Sequence, residues 1–447
     1  MGIERELAGD LLVKVRRQGA TEADLVIVET DSSNTQVRLR EVESLKSAQE
    51  RRLHLRVMFD KCSAATSTSD FSMRALDRLV DETCTLARAT APDAYLGLPA
   101  AESTVASIPD LGLCDEASQA LEVEDKIALV KRAEEAALDY DVRITNSEGA
   151  GLDTHFSRIV YANTHGFVGG YRTSSFTLAV SPIAGEGGAM QRDSWYAVSR
   201  QFKQLEAPEV IGETAAKRAL RRLGARKITT QEAPVVFDPE MAASLLRTLA
   251  GAVSGTSIYR GSSFLLNRLR QQVAADGVTI IDDGTIPGAL GSRPFDAEGM
   301  PTTRTVVIEH GVLQSYLLDT YCARRLGLTS TGNAARDAAG ISVGSSNFYL
   351  VPGTITPTEI IASVKSGLYL TELIGFGVNL VTGDYSRGAV GLWIENGELA
   401  YPVEEITIAG NLNDMLRHIE MVGNDLVFRG RTAAPTLKIG RMTIAGN

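Results

Sequence analysis

Apolar residues open the chain at helical spacing. Ile3, Leu7, Leu11 and Val15 share one face, which predicts a helix over residues 3–17 that Gly19 ends. The rhythm then shortens to two. Residues 25–29 read as a largely buried strand, and Leu53, Leu55, Val57 and Phe59 alternate with Arg52, His54, Arg56 and Met58 as a half-buried one. Helical spacing returns over 72–89, where Leu76, Leu79, Val80, Thr83 and Leu86 face inward. Pro92, Pro99 and Pro109 mark 90–113 as a surface excursion.

The pattern then restarts. A helix is expected over 122–140, strands over 142–146, 158–163, 170–180 and 194–199, and a helix over 213–223. Helix, meander, helix thus occurs twice, making 1–90 and 120–225 candidates for an internal duplication. From Ala233 the chain is rich in glycine and short β segments, with hairpin turns at His310-Gly311 and Asn396-Gly397. Segregated helices and strands predict an α+β fold. Residues 1–230 would form helices packed on antiparallel sheet, and 231–447 a β-rich domain.

Composition narrows the function classes. A net charge of −10 with interspersed basic residues argues against direct nucleic-acid binding. The pairs Lys217-Arg218 and Arg221-Arg222 read as a solvated helix face. No apolar run is long enough to span a bilayer. Cys62, Cys84, Cys114 and Cys322 are widely scattered, as free thiols in a cytoplasmic protein would be.

Chemistry is hard to find by motif. His54, His155, His165, His310 and His418 lack ligand-spaced partners, and His54 and His310 read as exposed polar residues. No nucleophile elbow or phosphate loop stands in the right context. What remains is three polar loops: Asp282-Asp283-Gly284-Thr285, Thr331-Gly332-Asn333-Ala334-Ala335-Arg336 and Thr382-Gly383-Asp384-Tyr385-Ser386-Arg387-Gly388. They hold acceptors, hydroxyls and guanidinium groups suited to ligand or partner contact, and equally the residues that turns require.

In this order the loops resemble the TldD/PmbA family, known as modulators of DNA gyrase. Gly291-Ser292, Asp296-x-Glu298-Gly299-x-Pro301 and Ile308-Glu309-x-Gly311 extend the likeness. Val381 to Ala389, Trp393 to Gly397, Tyr401 to Leu412 and Ala434-Pro435-Thr436 resemble its TldE (PmbA) branch. The resemblance implies a fold shared with TldD, a zinc protease whose ligands lie on a His-Glu-x-x-x-His helix with a later cysteine. Aligned on Leu245-Leu246, those positions hold Arg247, Thr248 and Ala252, and no cysteine follows Cys322. A guanidinium has no lone pair to donate, and a methyl group cannot ligate.

The resemblance therefore implies a metallopeptidase-family chain without its own zinc motif, bound metal or catalytic residues. Its partner would be a TldD-type subunit carrying the zinc, and the substrate a leader peptide or unfolded protein. Asp282, Asp283, Asn333, Arg336, Thr382, Asp384, Ser386 and Arg387 are the candidate substrate or partner contacts. Two alternatives stay open: a stand-alone hydrolase using carboxylate ligands from the 282–283 and 382–387 loops, and a non-enzymatic scaffold homodimer.

Overall fold

The computed structural model describes residues 2–337 and 340–446. Its first half is a seven-stranded antiparallel sheet with four helices. Helix α1 (Gly2–Arg17) leads into β1 (Glu22–Arg38), β2 (Glu41–Phe59), β3 (Cys62–Thr68) and α2 (Met73–Ala89). Then follow α3 (Val123–Leu138), β4 (Ile144–Asn163), β5 (Val168–Glu186), β6 (Ala189–Arg192), β7 (Trp195–Ser199) and α4 (Pro208–Leu220). The strand order is β3-β2-β1-β4-β5-β6, with β7 also on β5, so the two runs of helix and strand meet where β1 pairs with β4.

The great length of β1 and β4 has a packing reason. Leu25 and Ile27 of β1, with Val160 and Ala162 of β4, lie beneath α1 and α2. Val37 of β1, with Ala150 and Leu152 of β4, lies beneath α3 and α4. Each strand supplies both helix pairs from opposite ends. Successive side chains point to opposite faces, so the residues between these apolar ones face away from the helices.

Two expectations need correction here. The strands expected over 142–146 and 158–163 are one strand, β4. Gly149 and Gly151 hid the alternation of its middle, and a bulge between Ser147 and Ala150 breaks its register. The helix expected over 213–223 begins at Pro208, whose fixed φ suits the first helical turn, and ends at Leu220.

The second half holds a larger core. Strands β8 (Gln231–Phe237), β15 (Ser366–Ile374), β16 (Asp384–Glu395), β17 (Glu398–Asn411), β18 (Ile419–Val422) and β20 (Leu437–Ala445) form one sheet, and pairing of β17 with β20 closes it into a barrel-like ring. A second sheet runs β11 (Val312–Leu313), β10 (Arg304–Glu309), β9 (Ile280–Asp283), β14 (Asn347–Leu350), β19 (Thr432–Ala433). β12 (Ala334–Asp337) and β13 (Gly340–Val343) make a separate hairpin. Both sequence hairpins form, and His310, Gly311, Asn396 and Gly397 all take positive φ, as the turn type demands. The protein is thus α+β, with its β-rich part at the C-terminal end.

The helix-free face of the first sheet is not a solvated face, because the second half packs on it. Asp24 of β1, fully buried, accepts from Arg56 of β2 at 2.5 Å and from Arg336 of β12 at 2.8 Å. Arg56 also lies 3.7 Å from Glu298, which accepts the backbone N–H of Thr320 at 2.9 Å. Burial opposes ionisation of Asp24, but Arg336 and Arg56 outweigh it and hold the carboxyl below its ordinary range. Of the basic residues on and just after α4, Lys217 is exposed as expected, but Arg218 and Arg222 are not solvated. Arg218 lies over the Trp195 ring and pairs with Asp193 at 3.2 Å, and Arg222 pairs with Glu372 of β15 at 2.6 Å.

Removing one partner of a buried ion pair leaves the others desolvated and unpaired, at a cost of about 3–5 kcal/mol. Asp24→Ala should lower stability by that order, measured by denaturant unfolding near pH 7. A loss within the range of a surface substitution would contradict the role given to this network.

Candidate functional site

Arg247, Thr248 and Ala252, the residues expected in place of zinc ligands and base, lie on α5 (Pro239–Ala252). Asp238 caps this helix, its Oδ1 accepting from the Met241 N–H at 2.9 Å, and Pro239 occupies the first turn. Ala242, Leu245, Leu246 and Leu249 turn into the core beside Val235 and Phe237 of β8. The three motif positions have different surroundings. Arg247 is exposed and lines a crevice of about 90 Å³ with Tyr196, Glu240, Arg429 and Arg431. Thr248 is half-buried and bonds back to the Ser244 carbonyl at 3.3 Å. Ala252 is fully buried within the core. The helix therefore does not present all three positions to one large cavity.

The crevice before Arg247 is built across the two halves. Tyr196 of β7 donates to Glu240 at 2.9 Å, and Arg429 donates to the Tyr196 carbonyl at 3.0 Å and to Glu206 at 2.7 Å. Arg429 also lies 4.4 Å over the Trp195 ring. These groups do not fit a zinc ion. A guanidinium repels a dication, and the Thr248 hydroxyl is engaged with the backbone. Among the described residues, no three His, Cys, Asp or Glu side chains gather closely enough to hold a metal. Cys322 is buried on α7 (Thr320–Leu326), 3.7 Å from the Thr256 hydroxyl, and burial pushes its thiol up to about 12.

The polar loops separate into two clusters. Asp282 on β9 is buried; it accepts from Asn333 at 2.7 Å and from the Ser346 N–H at 2.7 Å, and burial raises its pKa to about 6. Asp283 accepts from the Thr285 N–H and hydroxyl, closing a turn. The other cluster is at the start of β16. Thr382 donates to Asp384 at 2.6 Å, and Asn411 donates to Asp384 at 3.1 Å. Thr382, Asp384 and Ser386 are exposed. Arg387 donates to Ser244, one turn before Thr248 on α5, at 3.1 Å.

No hydrogen bond or ion pair among the described residues joins the two clusters, so they do not make one acid–base site. Arg336 belongs to neither, being held by Asp24. His54 also departs from its expected place. It is half-buried on the interdomain face, where burial first and Arg336 and Arg52 next lower its pKa. His165 bonds the Pro99 carbonyl and Glu22, each at 3.0 Å, while His155 is exposed on β4.

Three family models match in sequence along the chain: the PmbA/TldA metallopeptidase domain 1 over residues 23–87, the central domain over 116–223 and the C-terminal domain over 230–446. The metalloprotease PmbA of Escherichia coli O157:H7 is 39% identical over 424 residues, covering 95% of this chain and 92% of that protein. The chain belongs to the PmbA/TldD metallopeptidase family. A PmbA homologue of Haemophilus influenzae is 36% identical over 99% of the chain and 97% of its own length. A TldD homologue of the same organism is 27% identical over 73% of each, which places this chain on the PmbA (TldE) branch. Among solved structures, a modulator of DNA gyrase from Bacteroides thetaiotaomicron superposes with a TM-score of 0.93 at 28% identity, covering all of both chains. TldE from Thermococcus kodakarensis shares the fold, with a TM-score of 0.89 at 20% identity over 98% of this chain and all of its own.

Several residues that shape the site escaped the sequence reading. Tyr196, Glu240 and the neighbouring Arg429 and Arg431 come from distant parts of the chain, and Tyr196 meets the others only when the two halves dock. The one available signal was the polar phase of β1 and β2, where Asp24 and Arg56 alternate with buried residues.

Two outcomes follow. Enlarging Ala252 forces a side chain into close-packed core, so Ala252→His should destabilise by about 1–3 kcal/mol, read as a lower urea midpoint. An unchanged midpoint would place Ala252 at an open site instead. Asp238, buried at the α5 cap, has its pKa raised to about 6 by burial. A folded value above the ordinary 3.8 means that stability is complete below about pH 4 and is lost as pH rises through 6. Asp238→Asn keeps the cap and removes the titration. Wild type should therefore lose stability relative to the variant between pH 4 and 7, and a constant difference would contradict this.

Proposed function

We propose that this chain is the non-catalytic, TldE-type subunit of a heterodimeric zinc protease. A TldD-type subunit supplies the metal and the water-activating carboxylate, and the pair cleaves leader peptides and unfolded protein segments in the cytoplasm. The observation that carries the reading is the chemistry of α5. Aligned on Leu245-Leu246, Arg247, Thr248 and Ala252 fall where the resemblance places zinc ligands and base, and among the described residues no group of three His, Cys, Asp or Glu side chains could hold a metal. The catalytic helix survives as scaffold while its donors are gone.

Two further features fit this role. The four cysteines are unpaired, as expected of a protein in a reducing compartment. No described helix is long and apolar enough to cross a membrane. The stand-alone hydrolase reading loses ground, because its two loops form separate hydrogen-bonded clusters.

The test is a peptidase assay on three samples: this chain, a TldD-type subunit from the same source, and their mixture. The mixture should cleave an unstructured peptide that neither component cleaves at a comparable rate, and the two chains should elute together on size exclusion. Cleavage by this chain alone, or an equal rate for the TldD-type subunit with and without it, would refute the proposal.

A further inference from the structure

Between the helix-free face of the first sheet and the second half lies a cavity of about 310 Å³. Its walls are divided by chemistry. Val26, Val28, Ile159 and Phe295 give an apolar side, and Arg293, Arg336 and Arg431 give a cationic one. The guanidinium groups are poorly matched by acceptors. Nε and Nη2 of Arg293 are shielded from water with no hydrogen-bond partner, and no carboxylate among the described residues forms an ion pair with that side chain. Arg336 has a side chain only 8% exposed; its Nη2 reaches Asp24, but its Nε has no partner. Arg431 is exposed at the edge of the cavity, and no side-chain hydrogen bond or ion pair engages it.

One carboxylate lines the cavity, and it does not balance these charges. Asp296 accepts from the backbone N–H groups of Glu298, Met300 and Ala334. Burial and the nearby Glu298 push its pKa upward while Arg293 draws it down, and no ion pair forms between Asp296 and an arginine of the cavity among the described residues. Nearby Arg200 donates only to the Ser174 and Leu290 carbonyls, and burial first and Arg431 among the charges lower its pKa. A partly desolvated cation without an ion pair, as Arg293 is, is costly, and in a chain of net charge −10 the gathering of three arginines here is local and built.

We infer that this cavity binds the carboxylate of a peptide, with the arginines holding the anion and the apolar wall taking the adjoining aliphatic groups. Guanidinium forks match a planar carboxylate with paired, charge-assisted hydrogen bonds. The volume suits a short peptide end and not a folded partner. Arg431 also lines the crevice before Arg247, so basic groups continue from the degenerate helix into the cavity. That the anion belongs to a peptide rests on the reading of the chain as a peptidase subunit. That the cavity takes a carboxylate does not.

The test is calorimetric binding to the full chain, without any partner subunit. The probes are Ala-Ala-Ala, its C-terminal amide, N-acetyl-Ala-Glu-Ala-amide and inorganic phosphate. Ala-Ala-Ala should bind roughly tenfold or more tightly than its amide, with affinity falling as salt rises. Arg293→Gln and Arg431→Gln should each remove most of that difference. Arg293 forms no side-chain bond in the empty cavity, so Arg293→Gln should fold and melt no lower than wild type. Tighter binding of the glutamyl peptide than of Ala-Ala-Ala would still support the site and would assign it to acidic side chains.

Equal binding of acid and amide without tighter binding of the glutamyl peptide, no binding of any peptide, or undiminished binding by Arg293→Gln would overturn the inference. Phosphate binding without peptide binding would overturn it too. A chain that binds the carboxylate but leaves its TldD-type partner unaffected would remove the proposed function and leave this site standing.

Discussion

Asp24, a fully buried carboxylate, ties the two halves of the molecule together, alongside the Arg222–Glu372 and Arg429–Glu206 pairs. It sits on the first strand of the first sheet, yet it is neutralised by Arg56 from the neighbouring strand and Arg336 from the distant hairpin. Without Arg336 and the Glu298 loop, the polar face of β1 and β2 would be an ordinary solvated face. With them, the sheet has two buried faces, one against helices and one against the barrel-like domain. The Arg247 crevice and the arginine-lined cavity exist only because this second face is covered.

That arrangement explains why the fold was easier to read than the site. The helix at 72–89, the alternation at 53–59 and the Asn396-Gly397 turn are local patterns, set by spacing and by φ preferences within a few residues. β4 was less legible, since Gly149 and Gly151 interrupt the apolar phase where the strand is continuous. Arg218 and Arg222, on and just after α4, depart from the expected solvated face for a different reason. An arginine looks the same in sequence whether it faces water or, as Arg222 does, a glutamate of the other half.

The candidate site was legible only through family motifs. The signatures ending in Ala434-Pro435-Thr436 identified the family, and the absence of histidine between His165 and His310 removed any zinc helix whatever the alignment. Geometry then changed the roles. Asp282, Asp283 and Asn333 hold a buried turn together, and Arg336 ties domains. Arg293 and Arg431 carry no motif signal, because their meaning lies in lacking a counterion after docking.

Loss of donors with retention of scaffold is the core of the proposal: α5 is capped and packed, and a cation and a methyl occupy the positions that the resemblance assigns to ligands. Zinc content tests it most directly. After dialysis against micromolar zinc, this chain alone should retain none, and its complex with a TldD-type subunit should retain one ion per pair. A stoichiometric ion on the isolated chain would contradict it.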